Sequence, residues 1–186
     1  MREYYQSQVT NYKEFYPKNK PSGALETTVL MLRMIHKNSI YREDNLALPD
    51  SFREILRSLM TEAAVRRYQK LSEICAPFAE TTEATIEAVN KLSEMIIQEV
   101  ESDNAYFRRP FKRELDIVAI SAESFLKFFV LDLENITGEL RKAEAVVCAH
   151  KVFELYARVR MLDRKFAPLV PGCVSNVLFS FKILQI

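Results

Sequence analysis

Between Arg113 and Gly138 the chain reads RELDIVAISAESFLKFFVLDLENITG, and its apolar residues recur at Leu115, Val118, Ala122, Phe125, Phe129 and Ile136. Steps of three and four keep side chains on one side of a helix. The pattern breaks once, at Asp132, where the next step would land. A second row, Leu126, Val130 and Leu133, lies beside the first and makes the face too broad for one partner. A helix of this kind is covered by several neighbours, so the stretch predicts the centre of a helical bundle. Gly138 is placed to end it, because glycine tolerates the left-handed conformation of a C-terminal cap.

The remaining periodic segments supply the neighbours. Residues 1–23 hold four tyrosines without a clean period and read as a weakly structured lead-in. Ala24 to Lys37 is a short helix, apolar nearly all round, followed by a linker from Asn38 to Pro49. A long helix is expected from Ser51 to Cys75. There Ser51 and Glu54 have the spacing of a capping box, and Pro77 marks the end. Thr82 is expected to cap the next helix, which runs to about Asn104 with Ile86, Val89, Leu92, Ile96 and Val100 facing inward. Glu139 to Phe166 is the last, its stripe Ala145, Cys148, Val152, Leu155, Val159, Leu162 and Phe166 unbroken; Pro168 and Pro171 stop it. The fold class this predicts is all-α, an elongated antiparallel bundle of four long helices plus one short N-terminal helix. At about 1.5 Å per residue the long helices measure roughly 35 to 42 Å. The bundle spans residues 24–171. The apolar tail, residues 172–186, has a single charge at Lys182 and reads as a non-native or truncated end.

Composition excludes several functions. With 26 basic and 25 acidic residues, bulk charge points to no nucleic acid. Three glycines in 186 residues leave little material for phosphate-cradling loops. Cys75, Cys148 and Cys173 are odd in number and far apart, which disfavours a secreted disulfide framework and favours a cytoplasmic location. The most apolar window, Leu115 to Leu133, carries Asp116, Glu123, Lys127 and Asp132, too many charges for a membrane span.

No arrangement of residues announces catalysis. A di-iron carboxylate bundle needs Glu-x-x-His on two helices, yet His36 and His150 follow Arg33 and Val147 at that spacing. Cys148 and His150 are two apart, so on a helix they diverge by about 200° and cannot share a zinc ion. No aspartate cluster for magnesium diphosphate, nucleophile elbow or zinc-protease motif occurs. The sequence therefore predicts no enzyme, no metal and no cofactor. A small-molecule-binding bundle, with a pocket around Phe125, Phe129 and Cys148, is a lesser alternative; a generic helical adaptor is another.

Surfaces carry the remaining candidates. Arg108, Arg109, Lys112 and Arg113 form a basic cluster interleaved with Phe107 and Phe111. It is a candidate contact for anionic lipid or an acidic partner helix, against the plainer reading of a helix junction with solvated arginines. Arg66, Arg67 and Lys70 read as a smaller basic face, and Glu99, Glu101 and Asp103 as a solvated acidic patch.

Three phrases bear a collective likeness: ALETTVLMLRMIHKN at 24–38, RYQKLSEICAPF at 67–78 and ELDIVAISAESFLKFFVLDLEN at 114–135. Together they resemble the fungal branch of the MUN-domain proteins, vesicle-priming factors named for the uncoordinated-thirteen phenotype. The resemblance covers residues 24–171 and rests on helical core, not on a catalytic motif. It implies a fragment of a long helical rod, akin to subunits of tethering complexes, that bridges secretory vesicles to the plasma membrane and helps SNARE proteins assemble. SNARE or tethering proteins are the partners it implies, with peripheral contact to an anionic membrane. The lipid-binding C-two domains usual in that family have no counterpart in these 186 residues, and no SNARE-contacting residue carries over.

Overall fold

The computed structural model describes residues 1–16, 23–40, 52–76, 81–111, 115–143 and 148–170. All regular structure among them is helical. The elements are α1 (Arg2–Thr10), α2 (Tyr12–Phe15), α3 (Gly23–Ile40), α4 (Phe52–Cys75), α5 (Thr82–Ser102), a π-helical turn (Asp103–Phe107), α6 (Arg108–Phe111), α7 (Ile117–Ala143) and α8 (Cys148–Phe166). The all-α class is as the sequence predicts, and α7 is indeed central. It packs on α4, α5 and α8, while α5 also packs on α4 and α8. Cys75 near the end of α4 lies against Met95, whereas Arg67 two turns earlier reaches Glu99 and Asp103, so α4 and α5 run antiparallel.

Two apolar clusters result. The larger joins α4, α5, α7 and α8 around Tyr68, Ile96, Phe125, Leu126, Phe129 and Leu162. The smaller joins α1–α3, the first half of α4, the π turn, α6 and the start of α7 around Val9, Tyr12, Leu25, Leu56, Phe107 and Phe111. Membership changes within single helices: on α4 between Ala63 and Ala64, on the α5 strand of chain between Val100 and Phe107, and on α7 near Ile120. Burial of large side chains such as Phe125 and Phe129 is the main stabilising term, at about 1.5–3 kcal/mol each.

Local chemistry sets the helix ends, and several differ from the sequence expectation. Over residues 1–23, expected as a weakly structured lead-in, α1 and α2 form and bury Val9 and Tyr12. The missed signal is that Val9 and Tyr12 are three apart, one helical turn, in an otherwise polar segment. Thr81, not Thr82, caps α5: its hydroxyl accepts from the Ala84 N–H at 3.3 Å. The chain then stays helical past Asn104, through the π turn and α6 to Phe111. α7 begins where the Asp116 carboxylate accepts from the Val118 N–H at 3.1 Å, satisfying a donor that the first turn leaves free. α4 stops one residue before the proline-linked bend: Ala76 turns left-handed at φ 45°, its N–H bonded to the Ser72 carbonyl at 2.8 Å. The last helix, expected from Glu139, is described from Cys148, because residues 139–143 continue α7; Ser51 of the expected capping box, residues 144–147 and the tail 172–186 lie outside the described residues.

Gly138 does not end its helix. α7 continues five residues beyond it, to Ala143. Glycine permits a left-handed cap but does not impose one, and Leu133 and Ile136 hold the preceding turn in the core. A Cβ added at Gly138 meets nothing within 4 Å. Gly138→Ala should therefore stabilise the protein by about 0.5–1 kcal/mol, read as a higher urea midpoint at unchanged slope. A lower midpoint would mean that the helix terminates at Gly138 after all.

Candidate functional site

Where the two apolar clusters meet, the interior is ionic. Asp103, the first residue of the π turn, is 0% exposed. Its Oδ2 accepts from Arg67 Nη1 and Nη2, both at 3.0 Å, and from the Ser121 hydroxyl at 2.6 Å. Its Oδ1 accepts from the Tyr12 hydroxyl at 2.5 Å and pairs with Lys13 Nζ at 3.0 Å. Glu99, one turn earlier on α5, takes Lys13 Nζ at 2.6 Å and Arg67 Nη1 at 3.1 Å. Two cations face two carboxylates, so the seam carries no net charge.

The partners arrive from five elements: Tyr12 and Lys13 from α2, Arg67 from α4, Glu99 from α5, Asp103 from the π turn and Ser121 from α7. The Arg67 guanidinium also lies between two rings, 5.3 Å from the Tyr12 centroid and 5.2 Å from that of Phe125. One ring belongs to each apolar cluster. Arginine suits this position because a planar, weakly hydrated cation stacks on aromatic faces while its edge bonds a carboxylate bidentately. Wider i→i+5 turns are uncommon and often mark functional positions.

Ionisation follows from this geometry. Burial alone would raise the Asp103 carboxyl, but Arg67, Lys13 and the bonds from Arg67 and Ser121 prevail and hold it below the usual aspartate value. Burial pushes the Tyr12 phenol well above its ordinary range, so it stays a donor. Burial, and then repulsion from Arg67, lowers the Lys13 amine. Burial would likewise lower Arg67, yet Tyr12, Asp103 and Glu99 together raise it.

Arg67 and Asp103 were thus misplaced by the reading of a basic face and a solvated acidic patch. Charge type favours the surface, but register decides: Asp103 falls three residues after Val100, continuing α5's apolar stripe, and Arg67 sits between Ala64 and Tyr68. Both are inward positions. The single interruption on α7 has a similar cause, since the Asp132 carboxylate accepts from the Tyr68 hydroxyl at 2.5 Å.

The basic cluster is less open than its composition suggests. Arg108 bonds the Asn104 side-chain oxygen at 3.1 Å and the Asp116 carboxylate at 2.8 Å. Arg109 is 83% exposed at its side chain and approaches Glu26 at 3.4 Å. Lys112 and Arg113 lie outside the described residues. Phe125 and Phe129 are fully buried in the larger cluster, and the side chain of Cys148 is outside the description, so no pocket around these three is described. A cleft of about 400 Å³ opens elsewhere, between Thr10–Glu14 and the α4 residues Ala63, Arg66, Arg67, Gln69, Lys70 and Glu73. Among the described residues there is no group of three or more metal-ligating side chains, and no helix long and apolar enough to cross a membrane.

With this geometry in place, comparison with known proteins gives one informative match. No family model matches the chain. It is 21% identical over 150 residues to Calcium-dependent secretion activator of Drosophila melanogaster, across 75% of this chain and 10% of that protein. The chain thus spans about a tenth of the curated relative's length. The similarity is distant.

Two outcomes are expected of the ion cluster. Arg67→Ala, which leaves buried Asp103 with Lys13 as its remaining cation, should cost about 3–5 kcal/mol by denaturant unfolding, whereas the paired replacement Arg67→Met with Asp103→Leu should recover part of it, less the cost of stranding the Tyr12 and Ser121 hydroxyls. Equal losses in the single and paired variants would contradict a buried pair. Because the folded Asp103 pKa is depressed, its contribution is complete above about pH 4 and is lost as pH falls through the lower folded value. Stability measured against pH should show that acid limb, and Asp103→Asn should flatten it; an unchanged limb would assign the proton uptake to other groups.

Proposed function

We propose that this chain is a non-enzymatic helical scaffold in membrane trafficking, part of a vesicle-priming or tethering factor acting in SNARE-dependent exocytosis at the cytoplasmic side of the plasma membrane. The observation that carries the reading is the similarity to a secretion activator over 150 residues. The MUN-domain resemblance of residues 24–38, 67–78 and 114–135 points the same way, from phrases belonging to α3, α4 and α7.

The physical role fits the architecture. Helices of 24, 21 and 27 residues packed side by side give the body long faces along which partner helices would dock. Arg109, the most exposed of the described members of its cluster, is the residue offered to an anionic membrane; Arg108 is partly held by Asn104 and Asp116.

Pull-down against assembled SNARE bundles and co-sedimentation with anionic liposomes test the proposal on the complete natural protein. Binding to at least one is expected. For the liposomes, Arg109→Ala should weaken partitioning about fivefold at low salt, corresponding to about 1 kcal/mol per cation near a charged surface. Binding to neither target would remove the trafficking reading, and liposome binding unaffected by Arg109→Ala would move the membrane contact off this cluster.

A further inference from the structure

We propose that α1–α2 is a strap which opens as a unit from an intact helical body, latched by the three consecutive side chains Tyr12, Lys13 and Glu14. Each reaches the body: Tyr12 bonds Asp103, Lys13 bridges Glu99 and Asp103, and Glu14 pairs with Lys70 at 2.6 Å. Three features make the strap separable. First, the larger apolar cluster contains no residue of α1–α3, so the core of α4, α5, α7 and α8 is complete without it. The strap enters only the smaller cluster, where Val9 and Tyr12 are buried and Tyr5 and Tyr16 pack against it, and its Gln8 and the Tyr16 that follows it meet Thr28 of α3.

Second, the latch is built so that release leaves neither carboxylate without a partner. When Tyr12 and Lys13 withdraw, Asp103 keeps both bonds from Arg67 and the bond from Ser121, and Arg67 keeps its contact with Glu99. The dear part of the ion cluster belongs to the body, and only its outer donors belong to the strap. Third, α1 packs on α3 and α4, but from Thr10 onward the strap parts from α4. The cleft of about 400 Å³ runs between Thr10–Glu14 and α4, so Lys13 and Glu14 already border open space, and Glu14–Lys70 is an exposed pair easily replaced by water. Opening would present the Asp103 carboxylate flanked by the rings of Phe107 and Phe111, which now pack against Tyr12 at centroid distances of 4.8 and 5.9 Å. That is a surface formed only in the open state, independent of whether the protein acts in trafficking.

Amide hydrogen exchange of the full chain, followed by mass spectrometry, tests this. Segments covering α1–α2 should exchange at least tenfold faster than the central turns of α4, α5 and α7. The double variant Tyr12→Phe with Lys13→Met should speed the strap about tenfold more while leaving α5 and α7 unchanged. A single common rate for strap and body in the natural chain would overturn the proposal. So would a double variant that accelerates the body as much as the strap, or one that leaves the strap's rate unaltered.

Discussion

The buried pairing of Arg67 with Asp103 is the constraint on which the arrangement of helices depends. Apolar packing is non-directional and tolerates sliding, whereas a bidentate guanidinium–carboxylate contact has one geometry. By bonding the π turn, α4 and α7 at a single point, it fixes the axial register of three helices. Its energetic contribution is of a different kind from that of the apolar clusters. Replacing such a pair by matched apolar groups often costs little, while breaking it is expensive, so the pair specifies the structure more than it stabilises it.

The seam also explains how two apolar clusters coexist in one body. The rings of Tyr12 and Phe125 both lie against the Arg67 guanidinium, and each is rooted in a different cluster. The cation is therefore flanked by aromatic neighbours from both clusters while its Nη atoms bond carboxylates and its Nε is buried without a partner. The π turn contributes by ending α5's regular ladder at Asp103, and the Glu99 carbonyl there also accepts from Lys13 at 3.2 Å.

Much of the body was legible in the sequence because helical period and burial coincide there. The stripes through Val118, Phe125 and Phe129, and through Leu155, Val159 and Leu162, are inward-facing residues of the larger cluster. What period alone does not convey is the partner of a charged residue set on an inward register. Arg67 and Asp103 are 36 residues apart, and nothing local marks them as a pair. Tyr12 and Lys13 are further still from their partners, so α1–α2 read as a lead-in. Gly138 misled for the opposite reason, since its local freedom is compatible with a cap but tertiary packing continued the helix. The exposed Arg109 was visible from sequence, while the tethering of Arg108 to Asp116 required the fold.

The central claim, that an ionised aspartate sits paired in a dry interior where two cores meet, is tested most directly by the side-chain carboxyl carbon of Asp103. Followed by NMR as acid is added to the intact chain, that signal should titrate below the ordinary aspartate value, held there by Arg67 and Lys13. A midpoint at or above the ordinary value would mean that the carboxylate is solvated or unpaired, and the register of the bundle would then need another origin.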